Sequence, residues 1–303
     1  MELRHLRYFL AIAETASFTR AAERLRLTQP TLSHQIKQLE QELGAPLFDR
    51  MGLKVRLTAK GKVLKSYAEQ ALNVIESGLT AVSDLDGLVH GELHVGVFHS
   101  FATSLLPQTL AQFIQSHPGV HVVLRQQSRA EMEQGLINGD LDFAVGYAPP
   151  VSERIVAETL FTEPFVLAVG EHHPWSALSK IEPRRLHDQP LVLLTPEHPS
   201  RQLIDRYFQS KGVAPRVVAE MNSNEAVLAM VRFSSLATIL SERIVAGTAG
   251  LKAVPLAGPA LARTAALFWN REAYRPAAAR LAAEMIRAAH APRARGKTPR
   301  AAA

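Results

Sequence analysis

The sequence predicts an α/β protein with a small helical module, a long connecting helix and a larger body of alternating strands and helices. Three observations predict this organisation. Residues 1–58 contain short amphipathic segments that end in two extended pieces around a turn. Residues 59–90 follow a single helical apolar pattern, and from residue 91 short β-forming runs alternate with amphipathic segments. With 303 residues, the chain is long enough for two or three domains with ample cores.

The composition is that of a globular protein whose charge is unevenly distributed. The longest apolar runs are too short to cross a bilayer, and the N-terminus lacks a secretory signal, so we expect a cytoplasmic protein. The absence of cysteine excludes disulfides, thiolate nucleophiles and cysteine zinc sites. Residues 1–66 hold 12 Lys and Arg against 6 Asp and Glu, whereas residues 67–290 hold 18 against 22. This basic module on an acidic body predicts a polyanionic partner for the module.

The N-terminal module is predicted to begin with three helices. The first covers about residues 2–15, and the second begins after Ser17, whose hydroxyl can cap it. Thr28 caps the third helix, and Pro30 lies in its first turn, where a missing N–H costs nothing. One side of the third helix has the spacing of a buried stripe, formed by Leu32, Ile36, Leu39 and Leu43. Two helices joined by a tight turn, the second polar on its outer side, form a helix-turn-helix.

A hairpin and a long helix follow the third helix. Two short extended pieces around Met51 and Gly52 predict a wing beside the helix-turn-helix. Thr58 can then cap a helix over residues 59–90, the linker. Its apolar residues fall close to heptad spacing and are Leu64, Ala68, Leu72, Ile75, Leu79 and Val82. A long helix with one apolar seam predicts a dimerisation arm.

The body, residues 91–293, is predicted to contain two similar α/β halves. The order strand, helix, strand, helix, strand occurs first over about residues 91–162, and a second set follows over about 163–265. Residues 266–293 are predicted to return to the first half. Two halves joined by crossover strands leave a cleft between them, as in periplasmic-type solute-binding folds. Residues 294–303 form a basic tail, for which a disordered solvated end and a binding arm are the two interpretations.

Polar residues at the carboxyl ends of the predicted strands are candidate ligand contacts, because open α/β sheets bind ligands there. In the first half these residues are Ser100, Phe101, Ser128, Gly146 and Tyr147. In the second half they are Thr195, His198 and Asn222. Hydroxyls and amides at helix starts suit an anionic or carbonyl-bearing ligand. Ordinary helix capping by the same side chains is the alternative for each of them.

One motif of the N-terminal module is highly specific. From Phe18 the chain shows "FxxAAExLxxTQPTLSxQIxxLEqELGxPLFdR", and "LTakGkvL" follows at residues 57–64. This motif resembles that of the LysR-type transcriptional regulators, and the rest of the chain has the length and element order of that family's effector domain. Stretches such as "GELHVGV" look most similar to the branch that includes regulators of cyanate and related small-anion metabolism.

The resemblance implies a DNA-binding regulator with a winged helix-turn-helix, a linker helix and a two-subdomain, periplasmic-binding-protein-like effector domain. In the family the third helix enters the major groove. The matching positions here are Gln29, Pro30, Ser33, His34 and Lys37. Gln can pair bidentately with adenine, and Pro can contact a thymine methyl. The wing cations suited to phosphates are Arg50, Lys54 and Arg56.

The resemblance also implies an effector and an oligomer. A small-molecule effector, which we expect to be anionic, would bind between the two α/β halves and modulate promoter binding. Homodimers, or tetramers through side-by-side effector domains, are expected. Family wings commonly carry an arginine directly after the turn, where this chain has Leu53. Minor-groove contact by this wing is therefore not expected, and Lys54 lacks the planar fork of arginine.

Two other classes of function are alternatives. A solute-binding protein would share the body, but it would need an export signal and no N-terminal module. An enzyme with an appended DNA-binding module would need a catalytic set. The chain shows no G-x-S-x-G, P-loop, H-E-x-x-H or G-x-G-x-x-G after a strand. His172 and His173 lie in a predicted surface turn, so we expect no metal site there, and no cofactor.

Overall fold

The computed structural model describes residues 1–51, 54–85 and 89–290, without the side chains of residues 50, 51 and 54. It contains a helical N-terminal module, a linker helix and an α/β domain of two subdomains. The fold class predicted from the sequence is therefore confirmed. The wing turn was predicted at Met51 and Gly52; Met51 ends a strand, while Gly52, Leu53 and the predicted tail at 294–303 lie outside the described residues.

The N-terminal module begins as the sequence predicts. Its helices are α1 (Leu3–Thr15), α2 (Phe18–Leu25) and α3 (Gln29–Leu43). Ser17 Oγ accepts a hydrogen bond from the Arg20 N–H at 3.3 Å, and Thr28 Oγ1 accepts one from the Thr31 N–H at 3.4 Å, so both predicted caps are present. One residue of the predicted apolar stripe is not buried. Leu43 is 42% exposed because the helix runs past the core before Gly44 ends it.

The two strands of the predicted wing pair antiparallel and are fixed to α3. They are β1 (Phe48–Met51) and β2 (Lys54–Leu57). Glu40 of α3 accepts hydrogen bonds from the N–H groups of Leu47 and Phe48, at 2.7 and 3.3 Å. The Phe48 ring packs on those of Phe9 and Phe18, with centroids 5.3 and 5.8 Å apart. The wing and the helices therefore share one core.

The linker helix is α4 (Ala59–Asp84), and its apolar residues make different contacts from those predicted. Leu64, Ala68 and Leu72, the first half of the predicted dimer seam, pack against the core of their own N-terminal module. A neighbouring stripe of the helix is apolar and exposed instead. It consists of Val63, Tyr67, Ala71, Val74, Val82 and Leu85. The first half of the predicted seam is therefore covered by its own chain, whereas Leu79 and Val82 of the second half are exposed. Heptad spacing does not say which of two adjacent faces a helix covers with its own chain.

The α/β domain follows. Its first elements are β3 (Gly91–Val97), α5 (His99–Ser104), α6 (Leu106–Ser116), β4 (Val120–Gln126), α7 (Arg129–Asn138) and β5 (Phe143–Ala148). The long β6 (Ile155–Gly170) leads to a 3₁₀ turn (Pro183–Leu186), β7 (Pro190–Leu194), α8 (Pro199–Lys211), β8 (Arg216–Met221), α9 (Asn224–Arg232), β9 (Ala237–Ser241), α10 (Glu242–Ala246) and β10 (Leu251–Pro255). The return is through β11 (Ala262–Asn270) and α11 (Ala277–His290).

One mixed sheet of nine strands runs through both subdomains, in the order β4-β3-β5-β11-β6-β9-β7-β8 with β10 also on β6. We call the part with β3 to β5 and α11 subdomain I, and the part with β7 to β10 subdomain II. The strands β6 and β11 pass between them and pair antiparallel. The parallel strands β3, β4 and β5 of subdomain I, and β7 and β8 of subdomain II, end at the cleft between the subdomains.

Candidate DNA-binding surface and ligand cleft

The outer side of α3 holds the predicted base-reading residues together. Gln29, Pro30, His34 and Lys37 are exposed, and Ser33 is half-buried. The opposite side of the helix is pinned to the core by Leu32, Ile36 and Leu39. Because Thr28 caps the first turn, the residues that follow it stand at the free end of the helix. The arrangement can present five side chains to one groove.

The wing is placed only in part. Arg56 on β2 is exposed, and β2 contacts both α1 and α4. The side chains of Arg50 and Lys54 lie outside the described residues, as does Leu53. Of the three predicted phosphate contacts, the structure therefore places Arg56 alone.

A cleft of about 1140 Å³ lies between the two subdomains. Five of the eight predicted ligand residues line it. Subdomain I contributes Ser100, Ser128 and Tyr147, and subdomain II contributes His198 and Asn222. Ligand pockets of organic metabolites usually measure about 300–1,000 Å³. The cleft therefore has room for an organic ligand.

Three predicted ligand residues lie behind the wall of the cleft. Phe101 is fully buried and packs on Tyr147, with ring centroids 4.6 Å apart. A Cβ at Gly146 would lie 2.9 Å from the Phe268 ring, so this position is enclosed as well. Thr195 forms a turn in which its carbonyl accepts a hydrogen bond from the His198 N–H at 3.0 Å. These three residues shape the wall and do not line it.

The floor of the cleft contains an ion pair that sequence reasoning missed. Arg263 of β11 donates through Nε to Glu163 of β6 at 2.5 Å and through Nη1 to Ser200 Oγ at 2.8 Å. The two charged side chains are only 11% and 5% exposed. The guanidinium carbon of Arg263 lies 3.7 Å from the centroid of the Tyr147 ring. A buried charge requires such partners, and here they come from both subdomains.

Hydrogen bonds extend this ion pair into subdomain I. The Tyr147 hydroxyl donates to Glu163 Oε1 at 2.9 Å and lies 3.2 Å from Ser100 Oγ. Burial raises the pKa of the Tyr147 phenol, so it stays protonated and remains a donor. The bonds therefore run from Ser100, through Tyr147, Glu163 and Arg263, to Ser200. We call this chain of hydrogen bonds the floor network.

Besides Glu131, the polar lining of the cleft above the floor includes a neutral histidine and a cationic arginine. Burial, and then the nearby Arg263, lower the pKa of His198, so its ring is neutral near pH 7. His198 Nδ1 accepts from the Ser200 N–H at 3.1 Å, so Nε2 carries the hydrogen and is a donor. Arg129 donates to the carbonyls of Tyr147 and Pro149 at 2.9 and 2.6 Å. Because these carbonyls are neutral, they do not cancel the positive charge of Arg129, which remains in the wall of the cleft.

A contact across the mouth of the cleft joins the subdomains. His99 of subdomain I lies 2.9 Å from Gln126 Oε1 and 3.3 Å from Glu225 Oε1 of subdomain II. The hydrogen bond with Gln126 raises the pKa of His99, burial lowers it, and Glu225 raises it, with a net rise. Protonated His99 can donate to both oxygens at once. We call this contact the mouth contact.

In the described part of the chain no three His, Asp or Glu side chains lie close enough together to hold a metal ion. No described helix has the length and apolarity that crossing a bilayer requires.

Two family comparisons cover most of the chain. Residues 3–62 match the family described as bacterial regulatory helix-turn-helix protein, lysR family. Residues 86–291 match the LysR substrate binding domain.

Individual relatives agree with these matches. A RuBisCO operon transcriptional regulator of Acidithiobacillus ferrooxidans is 36% identical over 80% of this chain and 79% of its own. A full-length OxyR variant of Pseudomonas aeruginosa is 27% identical, covers 95% of each chain and superposes with a TM-score of 0.76. Full-length CbnR, solved with its target DNA, is 26% identical with a TM-score of 0.57, over 96% of this chain and 100% of its own. The chain belongs to the LysR family, DNA-binding transcriptional regulators with a domain for small-molecule effectors.

Proposed function

We propose that α3 reads the operator and that a small anionic effector, bound in the cleft, controls this binding. The proposed base-reading residues are Gln29, Pro30, Ser33, His34 and Lys37. The proposed phosphate contacts are Arg50, Lys54 and Arg56. One observation supports DNA binding by this module. The helix α3 has a single exposed polar side, and it lies beside the basic wing in the one domain of the chain whose net charge is positive. Phosphate contacts position such a helix, and groove contacts specify the sequence.

The proposed effector contacts are Ser100, Ser128, Tyr147, His198 and Asn222, together with Arg129. The helices α7, α8 and α9 all begin at the cleft, with Ser128, His198 and Ser223 as their N-caps. Helix N-termini favour negative charge, and the uncompensated Arg129 adds to this field. These features support an anion.

Three carboxylates near the cleft are already engaged. Glu163 is bound by Arg263 beneath the floor. Glu131 accepts the Ser128 N–H at 2.8 Å, and this capping box lowers its pKa. Glu225 faces His99 at the mouth. An anion in the centre of the cleft would therefore meet donors, and the repulsion from these carboxylates would be weakened by their partners.

The exposed apolar stripe of α4 supports a homo-oligomer. Large apolar side chains on one side of a long helix usually mark a protein–protein interface. We propose that a second copy of this chain covers the stripe, as the heptad arrangement of a coiled coil would allow. A protein that acts on bacterial DNA in this way acts in the cytoplasm, as a regulator and not as an enzyme.

The effector proposal is tested by thermal shift of the full-length protein against small carboxylates and inorganic anions, with cationic and neutral sets as controls. Anions are expected to raise the Tm. Ser100→Glu is expected to abolish this response, because it fills the cleft and adds a like charge. Thr103→Glu, on the same helix but not in the lining, is the matched control. A cationic or neutral compound with the largest shift would contradict the anion proposal.

The DNA part is tested separately by fluorescence anisotropy with promoter DNA taken from beside the gene for this protein. Specific binding is expected to fall steeply with salt, because phosphate contacts release counterions. The Ser100→Glu variant is expected to bind this DNA like the unchanged protein. Absence of salt-sensitive binding to any flanking promoter would contradict the proposal.

A further inference from the structure

The outer side of α3 carries a further amide side chain, that of Gln38. This residue follows His34 by four positions and Pro30 by eight, so the three lie in one row along the helix. The side chain of Gln38 is exposed. The row therefore extends the proposed reading side by one helical turn beyond His34.

A series of hydrogen bonds leads from the start of α1 to Gln38. The Glu2 N–H donates to His5 Nδ1 at 3.2 Å. The other ring nitrogen of His5, Nε2, lies 3.0 Å from Gln35 Oε1. Gln35 Nε2 in turn donates to Gln38 Oε1 at 3.1 Å. We call these three hydrogen bonds the amide network. It joins a buried histidine to the exposed side of α3.

A backbone N–H can only donate, and this fixes the direction of every bond in the amide network. Because His5 Nδ1 accepts from Glu2, the ring carries its hydrogen on Nε2. Nε2 therefore donates, and Gln35 must present its carbonyl oxygen to it. The NH2 group of Gln35 then faces Gln38, which must present its own oxygen. The orientation of both amides thus follows from the backbone of α1.

Gln38 is left with its NH2 group for a partner outside the protein. Its Oε1 accepts from Gln35, and no hydrogen bond among the described residues uses its Nε2. A glutamine that is free to turn can pair with adenine through both groups of its amide. A glutamine held by its oxygen offers donors instead. In the major groove guanine presents two acceptors, N7 and O6, where adenine presents the acceptor N7 and the donor N6.

We propose that Gln38 reads one base of the operator as a hydrogen-bond donor and selects guanine over adenine there, with Gln35 and His5 as the residues that position its amide. This inference deepens the proposed function and rests on it, because α3 must lie in the major groove. The selection occurs at position 6 of the purine. The O6 of guanine accepts from Nε2, whereas the N6 amino group of adenine would face a second donor.

The base preference is measured with the full-length protein and the flanking promoter DNA, in which each position is varied singly. Competitive binding followed by sequencing of the bound DNA gives the relative affinities. The unchanged protein is expected to favour guanine over adenine by about tenfold at one position of each half-site. Gln38→Ala identifies that position, because it is expected to lose this difference there and to keep the other preferences.

Gln35→Glu is expected to reverse the preference. An ionised carboxylate only accepts, so it would take the Nε2–H of His5 with one oxygen and the NH2 group of Gln38 with the other. Gln38 would then turn its oxygen to the groove and favour adenine over guanine at the same position. Gln41→Glu is the matched control. It adds the same charge one turn further along the exposed side, at a residue with no described side-chain hydrogen bond, and it is expected to keep the guanine preference.

Gln35→Met is a second test that adds no charge. It keeps the length of the side chain but removes both groups of the Gln35 amide. Gln38 is then free to turn, and its preference is expected to shift toward adenine, because a free glutamine can pair with both N7 and N6. A change in stability alone would weaken binding to all sequences and would not exchange one purine for the other.

A Gln38→Ala variant that keeps every base preference would overturn the proposal. So would one that weakens binding to all sequences alike, as the loss of a phosphate contact does. Gln35→Glu and Gln35→Met variants that still favour guanine at the Gln38 position would also overturn it. Failure of the proposed function gives a different result, an unchanged protein that prefers no base at any position of the DNA.

Discussion

The reading side of α3 and the floor of the cleft are built in opposite ways. Gln29, His34 and Lys37 on α3 stand in solvent, and no side-chain hydrogen bond joins them to other described residues. In the cleft, Tyr147, Glu163 and Arg263 are bonded to one another and almost fully withdrawn from water. In the first surface these three side chains are positioned by the backbone of α3 and by the buried opposite side of the helix, whereas the second surface is held by its own side chains.

This difference determines how each surface responds to change. A substitution of Gln29, His34 or Lys37 on the outer side of α3 removes one proposed DNA contact and leaves the fold intact, because no described side-chain hydrogen bond depends on these residues. A substitution of Arg263 or Glu163 in the floor network leaves a buried charged partner without its hydrogen bonds, so its effect reaches the stability of the whole domain.

Arg263→Ala is expected to destabilise the α/β domain by about 3–5 kcal/mol, because it leaves Glu163 buried and unpaired. Urea unfolding of the full chain, followed by tryptophan fluorescence from Trp175 and Trp269, measures the change. The double variant Arg263→Met with Glu163→Gln is the control, and it is expected to recover most of the loss. A single variant as stable as the unchanged protein would show that the pair carries little of the domain's stability.

Gly61→Val is expected to destabilise the N-terminal module by about 3 kcal/mol, because the new side chain would clash with the backbone of Leu47. A Cβ at this position would overlap the carbonyl oxygen of Leu47, at the entry to the wing. DNA affinity is expected to fall while the thermal response to anions stays. Gly78 lies on the same helix with open space around it, so Gly78→Val is the matched control for helix propensity. Similar effects from both variants would mean that space at Gly61 is not the cause.

Gln29→Ala is expected to cost about 1–3 kcal/mol on the specific site, with almost no change on random DNA. Because Gln29 is exposed, the unfolding curve is expected to stay the same. Anisotropy titrations with both kinds of DNA measure the effect. Losses of equal size on specific and random DNA would contradict base reading by this residue.

Arg56→Ala provides the contrast within the same module. A phosphate contact carries no sequence information, so specific and random binding are expected to weaken together, and the salt slope to fall by about one. Anisotropy at several salt concentrations gives the slope. A loss confined to the specific site would assign Arg56 to base reading.

The smallest effect is expected at the mouth contact. The pKa of His99 is raised above its ordinary value of 6.5, so its bond to Glu225 is fully present below that pH and is lost as the pH rises through the raised pKa. Exposed pairs of this kind contribute less than about 1 kcal/mol. The free energy of urea unfolding of the α/β domain is expected to fall by less than about 1 kcal/mol between pH 6 and pH 8 because this bond is lost. Glu225→Gln is expected to weaken this pH dependence, and an undiminished dependence would exclude the contact as its cause.

The sequence predicts well what is local. The stripe on α3, the caps at Ser17 and Thr28 and the strand ends at Ser100 and Ser128 follow from spacing within one segment. The floor network does not, because Glu163 and Arg263 are 100 residues apart in sequence and meet as register partners of β6 and β11. A carboxylate at residue 163 and a guanidinium at residue 263, each beside a run of β-forming residues, were a signal, but the pairing of those runs was not known.

The linker helix shows a second limit of sequence reasoning. Its apolar residues lie on two adjacent sides, and the heptad spacing of Leu64, Ala68 and Leu72 fits either a partner chain or the module itself. Which of the two these residues contact depends on tertiary packing, and here they pack with Phe9 and Phe48 in the core of the module. The sequence gave no sign that Asn73 and Asp84 form hydrogen bonds with the α/β domain, to Asn138 and Tyr274, because single polar residues on a helix usually face solvent.

Asn73 and Asp84 both lie on the side of α4 that faces the α/β domain, where Asn73 bonds to Asn138 and Asp84 to Tyr274. Their spacing constrains how the length of this helix can change. One inserted residue would turn everything after it by about 100° and lengthen the helix by about 1.5 Å. Asp84 would then face away from Tyr274, and the exposed apolar stripe would be broken in two. An insertion of seven or eleven residues restores the direction but moves subdomain I about 10–16 Å along the axis. The distance from the reading helix to the effector domain can therefore change only in steps of whole turns.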